Sequence, residues 1–356
     1  MTSEWHEAPL RELVGYISKG IAPSYAEEAS ETTIRVLNQK CNRNFRISYG
    51  DSRLHDTLKK KVPPERYVKP DDILINSTGA GTAGRIAQIE DVPSATTIDG
   101  HMILIRSNGK VTQKFLGYAL KAHQWEVLQL DEGSTGQTEL NRDRLLDEIM
   151  INYPVSFDEQ NAIVGTLESI DRKLIVNEQL NDNLLEQASS IYQAWFEDFI
   201  LSDGSCPPSW KQGTLAGIAD ITSGKRPPVK SAEKTDNAII PIVGAASVMG
   251  YTTEANHTDK ILVTGRVGTH GVVQRFNSPC WASDNTLVIT SAFYEYTFQI
   301  LQRIDYRTLN RGSTQPLITQ GDMNKVPILI PDNETLLKFE TLVGQLMNCL
   351  LYTSPS

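Results

Sequence analysis

Ser156-Phe157-Asp158-Glu159-Gln160-Asn161-Ala162-Ile163 follows Pro154 and opens a run that contains one glycine, Gly165, up to about Ile200 and no proline until Pro207. Ser156 and Glu159 stand at capping-box spacing, which satisfies free N–H groups at a helix start. From there apolar residues recur at Ile163, Leu167, Ile170 and Leu174. The pattern passes through Asn177 and Asn181 and resumes at Leu184, Ala188, Ile191 and Trp195. Alternating steps of four and three are the seam of a coiled coil. At 1.5 Å per residue such a helix spans roughly 60 Å, longer than a small domain can cover, so it needs a partner helix. Leu336, Phe339, Val343, Leu346 and Leu350 after Pro331 show the same spacing and supply one, expected to run antiparallel. Asn177 and Asn181 either fix the register of that pair or point to solvent beside a shifted seam.

On either side of this segment the chain repeats itself. Trp5-His6-Glu7-Ala8-Pro9-Leu10, reaching Ser18-Lys19-Gly20, has its counterpart in Trp210-Lys211-Gln212-Gly213-Thr214-Leu215, reaching Ser223-Gly224-Lys225-Arg226-Pro227. The apolar runs Ile34-Arg35-Val36-Leu37 and Ile239-Ile240-Pro241-Ile242-Val243 match. Asp72-Ile73-Leu74-Ile75 and Lys260-Ile261-Leu262-Val263 match too, and each enters a glycine-rich turn, Ser77 to Arg85 and Thr264 to Gly271. Later Gly133-Ser134-Thr135-Gly136-Gln137 answers to Gly312-Ser313-Thr314-Gln315, and Ile151-Asn152-Tyr153-Pro154 to Leu329-Ile330-Pro331. The offset falls from 205 residues at the tryptophans to 177 at the prolines, so the second half has the shorter interior. Short β-branched runs broken by Gly, Pro, Asn and Asp, with a helical stretch such as Gln113 to Leu130, predict mainly-β domains with a helix or two packed on them. The expected class is α+β: a first repeat over 1–153, a helical spacer over 154–203, a second repeat over 204–330, and a truncated C-terminal helix over 331–356.

The 356 residues carry a net charge of −9 with 40% hydrophobic content, a composition that can bury cores. The acidic excess is local. Residues 157–203 hold 2 basic and 10 acidic side chains, against 19 and 21 in residues 1–156 and 13 and 12 in residues 204–356. Charge by itself argues mildly against a nucleic-acid ligand, because the two repeats are near neutral. Cys41, Cys206, Cys280 and Cys349 lie far apart, which suggests reduced thiols and neither a disulfide framework nor a zinc knuckle. No run of about 18 apolar residues and no leader pattern is present, so a soluble, cytoplasmic protein is expected.

Catalytic signatures fail in turn. Thr222-Ser223-Gly224-Lys225-Arg226 resembles the end of a phosphate loop, yet Ala219 stands at the earlier glycine and Arg226 at the Ser or Thr position. Cys206-Pro207-Pro208-Ser209-Trp210 lacks the residue order of an amino-methyltransferase motif. The histidines His6, His55, His101, His123, His257 and His270 form no metal-binding spacing. Asp171-Arg172-Lys173 has nuclease-like spacing but sits on the long helix, where it reads as a solvated face. The glycine-rich turns are followed by strand-like alternation rather than a helix, which argues for hairpins and against a dinucleotide site.

The Trp-x-x-x-x-Leu openings, the glycine-rich turns, the Gly-Ser-Thr segments and the proline-then-helix ends together resemble the specificity subunits of type I restriction-modification systems. Phe157-Asp158-Glu159-Gln160-Asn161-Ala162-Ile163 is similar to the start of that family's central helix, whereas Asn333-Glu334-Thr335-Leu336 departs from the Glu-Gln pair. The resemblance implies two target-recognition domains that read a bipartite, asymmetric site in double-stranded DNA. The helices would act as the ruler for the unread spacer, and no catalytic residue, metal or cofactor would lie in this chain. It also implies two methylation subunits, which bind S-adenosylmethionine, and restriction subunits as partners.

The expected DNA-contacting side chains cluster at the repeated turns and Gly-Ser-Thr segments. They are Lys19, Arg85, Ser134, Thr135 and Gln137 in the first half, and Lys225, Arg226, Arg266, Thr269, His270, Ser313, Thr314 and Gln315 in the second. The turns could equally serve only to reverse the chain, and the Gly-Ser-Thr segments only to lead into the next strand. Tyr192, Trp195, Phe196 and Phe199 are expected either to dock a partner subunit or to pack against the second domain. Two rival readings are a scaffold of two β domains on a helical rod that binds protein rather than DNA, and a nucleotide-dependent enzyme using the glycine-rich turns.

Overall fold

The structure, a computed structural model, describes residues 4–79, 81–132, 139–309 and 317–349. The chain divides into two compact units, Met1–Arg172 and Lys173–Ser356, so the boundary falls inside the long helix.

In the first unit, strand Trp5–Pro9 pairs antiparallel with Met150–Pro154 and closes the repeat on itself. Between them lies an antiparallel sheet in the order Val14–Lys19, Met102–Ser107, Ile73–Asn76, Ile86–Gln88. Strand side chains alternate between faces, and here both faces are covered. Ile73, Ile75, Ile103 and Ile105 enter one core with Phe115, Leu116 and Leu120 of helix Gln113–Ala122. Leu74, Met102 and Leu104 enter another with Leu37, Cys41, Val68 and Ile98. That explains why Ile73–Asn76 is buried at every position instead of reading apolar-polar. A second sheet, in the order Thr96–Ile98, Thr33–Leu37, Arg53–Asp56, Tyr25–Ala26, contains one parallel pair, between its first two strands.

The second unit repeats the closing strand pair and the main sheet of the first, and its companion sheet has three strands where the first has four. Lys211–Thr214 pairs antiparallel with Pro327–Ile330. The main sheet runs Asp220–Ser223, Thr286–Thr290, Ile261–Gly265, Val273–Phe276. Its companion sheet again holds one parallel pair, Ile240–Val243 with Trp281–Ala282. Leu262, Leu287 and Ile289 face the large core beside helix Tyr294–Arg303, while Ile261, Val263 and Val288 face a smaller one. Gly20 and Gly224 occupy equal places. A Cβ on the first would lie 2.1 Å from the Asp99 carbonyl oxygen, and on the second 2.0 Å from that of Ser283, so the backbones cross where no side chain fits. The shorter interior of the second repeat has a definite site. The first repeat passes from strand Thr33–Leu37 to Arg53–Asp56 through residues 38–52, the second from Ile240–Val243 to Val248–Thr252 through residues 244–247.

Helix Phe157–Tyr192, 36 residues, continues into a wider π turn, Gln193–Glu197. Gln160 fastens its start to the first unit. The buried amide donates to the Pro154 carbonyl at 2.9 Å and accepts the Thr112 N–H at 2.8 Å. Thr112 is the N-cap of the next helix, so Gln160 satisfies one of the free N–H groups there.

The seam expected along the whole helix is covered only in its later part. Leu184, Ala188, Tyr192 and Phe196 share a core with Leu336, Phe339, Val343 and Met347 of helix Asn333–Asn348. The Trp210 indole N–H donates to Asp332 at 2.9 Å, and Trp210 stacks on Phe196 and Phe199. The start of the last helix is thereby placed at the end of the long one, the orientation of an antiparallel pair. Earlier, Leu167, Ile170 and Leu174 remain exposed. The face that packs is turned from them: Val164 is buried, Glu168 bonds Lys114 at 2.6 Å, and Asp171 accepts from Lys121 and Tyr118, both at 2.9 Å. The physical reason is length. Sixteen residues make roughly 24 Å of helix and 36 make roughly 54 Å. Asn177 and Asn181 are half-buried, between the two expectations.

Candidate nucleic-acid interface

Each glycine-rich turn joins one inner strand of its main sheet to the adjacent edge strand, as a hairpin reading requires. In the first, the Gly84 N–H bonds the Asn76 carbonyl at 2.8 Å and the Asn76 N–H bonds Arg85 O at 2.9 Å. Gly84 has φ +84°, and a Cβ there would meet the Val127 carbonyl oxygen at 2.9 Å, so glycine is required twice over. Gln124 clamps the turn from the other side, accepting from Ile86 N and donating to Gly84 O, both at 2.8 Å.

Each turn is also pinned to the chain that leaves its Gly-Ser-Thr segment. Thr78 bridges Glu139, and the Leu140 N–H bonds Ser77 O at 2.8 Å. Val267 bridges Leu317, and the Ile318 N–H bonds Arg266 O at 3.0 Å. The repeat in sequence is therefore a repeat in space. Ser134, Thr135 and Gln137, like Ser313, Thr314 and Gln315, lie outside the described residues.

The other expected contacts fare differently. Lys19 is held in an ion pair with Glu139, which neutralises it in this structure. Arg85 is half-buried, reaches the Gly81 carbonyl at 3.3 Å and meets no carboxylate among the described residues. Lys225 and Arg226 are exposed, and the Lys225 carbonyl accepts the Trp281 indole N–H at 2.7 Å. Arg266 is half-buried, with its N–H on Asn285 O at 2.8 Å. Thr269 is exposed. His270 donates from Nδ1 to Gly265 O at 3.1 Å, and its buried Nε2 has no partner among the described residues.

Of the two expectations for the aromatic group, the structure shows the packing. Tyr192 and Phe196 are 8% and 4% exposed. Phe196 has ring centroids of Tyr296 at 4.7 Å, Phe339 at 5.0 Å, Tyr192 at 5.2 Å and Trp210 at 5.6 Å around it. Burial pushes the Tyr192 phenol up to about 12. Trp195 and Phe199 pack half-buried on the same core. Core packing uses the surface that docking would need.

Sequence reasoning missed the cations of residues 38–52. Asn42–Arg43 and Arg46–Ile47 form a hairpin whose register leaves Asn44 and Phe45 as a two-residue turn, both with positive φ, 52° and 61°. This is the twist a tight hairpin needs. Lys40 and Arg43 stand exposed on it beside the glycine-rich turn, where with Arg85 they line one cavity. The signal was the basic, Asn-rich run Lys40-Cys41-Asn42-Arg43-Asn44-Phe45-Arg46, which has no counterpart in the second half. Cys41 and Cys280 are buried, and burial pushes both thiols up, that of Cys280 to about 11. Among the described residues no three His, Cys, Asp or Glu side chains gather as a metal site, and no helix is long and apolar enough to cross a membrane.

Two β-rich halves, with main sheets of equal strand order and joined through one long helix, each present the same pinned turn. The chain belongs to the type I restriction modification DNA specificity domain family, whose model it matches over residues 2–186 and 207–338, one stretch in each repeat. It is similar to the type I restriction enzyme MjaIX specificity subunit of Methanocaldococcus jannaschii, at 25% identity over 98% of this chain and 88% of that protein. Its fold is similar to the crystal structure of the type I restriction-modification system S subunit from M. genitalium, with a TM-score of 0.58 at 16% identity, covering 98% of this chain and 91% of the other. The family recognises DNA as the specificity component of type I systems, which disfavours the protein-scaffold reading.

Proposed function

We propose that this chain reads a bipartite, asymmetric sequence in double-stranded DNA, residues 1–153 reading one part and residues 204–330 the other. The helix over 154–203, with its partner over 331–356, sets the unread gap, as protein geometry sets half-site spacing in other DNA readers. The observation that carries this reading is the repeated main sheet with a pinned glycine-rich turn in each unit. Lys19, Arg85, Lys225, Arg226 and Arg266 are suited to phosphates. Thr269 and the Gly-Ser-Thr residues Ser134, Thr135, Gln137, Ser313, Thr314 and Gln315 are suited to base edges, and His270 would have to turn away from Gly265 O to reach one. Lys19 would have to release Glu139 to reach a phosphate. The chain itself carries no catalytic group in this reading. Two methylation subunits, which bind S-adenosylmethionine, and restriction subunits perform the chemistry inside the cell.

The test is to co-express the chain with a methylation subunit of its own system, expose random DNA to the purified complex and map modified adenines. A split motif with a fixed gap supports the reading, and exchanging residues 1–153 for those of a relative changes one part only. Modification without sequence preference overturns it.

A further inference from the structure

The first unit contains a cavity of about 700 Å³ between the hairpin of residues 38–52 and the glycine-rich turn. Lys40, Arg43 and Arg85 line it, together with the amides of Gln39 and Asn42, and no acidic side chain does. None of the three cations forms an ion pair among the described residues, whereas Lys19, Lys59, Lys110, Lys114 and Lys121 of the same unit each hold a carboxylate.

The walls are locked by a buried amide network. Asn42 Nδ2 donates to Arg85 O at 2.8 Å and to Asn76 Oδ1 at 3.2 Å, and Asn76 Nδ2 donates to Gln39 O at 3.1 Å. Asn42 is wholly buried, yet its Oδ1 accepts no hydrogen bond among the described residues. Phe45 at the hairpin tip lies 5.1 Å from the Lys121 ammonium, which is itself bonded to Asp171. The cations are thus carried on backbone that is already ordered, so binding an anion demands little reorganisation.

Shape selects the anion. A duplex groove is read by something that protrudes into it, and a cavity receives what protrudes from the duplex, the sugar-phosphate backbone. Resting on the DNA-reading function above, we propose that this cavity is a backbone anchor peculiar to the first repeat, in which Lys40, Arg43 and Arg85 hold phosphodiester oxygens without reading bases. At this place the second repeat has only residues 244–247, none of which carries a cation.

The experiment measures binding of the full chain to a fluorescent duplex of random sequence as a function of salt, for the unaltered protein, Lys40→Ala/Arg43→Ala and the triple variant with Arg85→Ala. Each phosphate contact contributes about 0.9 to the slope of log affinity against log salt. The slope should shrink by about 2 for the double variant and by nearly 3 for the triple. Arg43→Lys should keep the slope, and the control Lys59→Ala/Lys110→Ala should leave it unchanged. In complex with the methylation subunit, the triple variant should methylate the same motif more weakly. An unchanged slope in a folded double variant, an equal loss in the control, or an altered motif overturns the anchor. A complex that methylates without sequence preference but keeps these slope changes overturns the specificity reading and leaves the anchor standing. An unaltered chain that binds no duplex at low salt overturns both.

Discussion

Truncating Phe196 to alanine removes the ring on which the second unit's aromatic core converges. Five ring centroids lie within 6.2 Å of it, those of Tyr296, Phe339, Tyr192, Trp210 and Trp195. Burying a phenylalanine side chain stabilises by about 1.5–3 kcal/mol, and the unfilled space raises the loss to about 3–5 kcal/mol for Phe→Ala. Aromatic pairs add about 0.5–1.5 kcal/mol each, but the same rings form several pairs, so the terms do not sum. A loss of about 4 kcal/mol is expected. For a unit of the size of Lys173–Ser356 each kcal/mol moves the melting temperature by about 2–4 °C, which gives a fall of about 8–16 °C. Trp195, Trp210 and Trp281 all lie in that unit, so their fluorescence should follow its unfolding in heat or urea, while the transition of the first unit stays in place. Phe199→Ala, half-buried and stacked on Trp210 at 5.9 Å, should lose only about 1–2 kcal/mol. A Phe196→Ala protein that loses less than about 1 kcal/mol yet fails to bind its methylation subunit would refute the core assignment and restore a docking role.

Six further substitutions probe the frame. Gly20→Ala and Gly224→Ala each drive a methyl group into a carbonyl oxygen at about 2 Å and should destabilise their own unit by about 1–3 kcal/mol or more in urea titrations. Gly165→Ala, with open space on the long helix, should instead stabilise by about 0.5–1 kcal/mol. Asp72→Ala leaves the half-buried Arg106 without the carboxylate it holds at 2.7 Å and should lower first-unit stability by about 1.5–3 kcal/mol; equal urea midpoints would contradict this. Burial raises the Glu340 carboxyl above its ordinary value, so its contribution is complete at low pH and is lost as pH rises through that higher folded value. Asp332, lowered chiefly by the Thr335 N–H, contributes above the ordinary carboxylate value and loses this as pH falls through its depressed one. Difference curves of stability against pH for Glu340→Gln and Asp332→Asn should therefore slope in opposite directions, and parallel curves would reject one of the two assignments.

The features legible in the sequence are those whose cause is local or periodic. Matched landmarks revealed the repeat because each landmark, a backbone crossing at Gly20 and Gly224 or a turn at Gly84, forces a residue type in place. The long helix was legible from capping and spacing. Its packed face in the first unit was not, because Glu168 and Asp171 hold it through bonds to Lys114, Lys121 and Tyr118, and a polar contact leaves no apolar period. The cationic cavity was hidden for a related reason. Lys40 and Arg43 are brought beside Arg85 by hydrogen bonds from the Asn42 and Asn76 amides to Arg85 O, Asn76 Oδ1 and Gln39 O, which no window along the chain spans.

On the proposed function, one chain reads two different half-sequences. Two units with the same main-sheet strand order and the same pinned turn hold their backbones alike, so the frame by itself would favour a symmetric target. Asymmetry has to come from what hangs on the frame. Residues 38–52 and 244–247 occupy the same place in that frame with different length and charge, the first bearing Lys40, Arg43 and Arg46 and the second only Gly244, Ala245, Ala246 and Ser247. A strong, sequence-blind hold in one half and a weaker one in the other would let the second half sample bases while the first stays on the duplex. In that arrangement the backbone anchor sets residence and the turns set choice. Shortening residues 38–52 to the length of 244–247 should then lower affinity for all duplexes while leaving the half-sequence read by residues 204–330 unchanged.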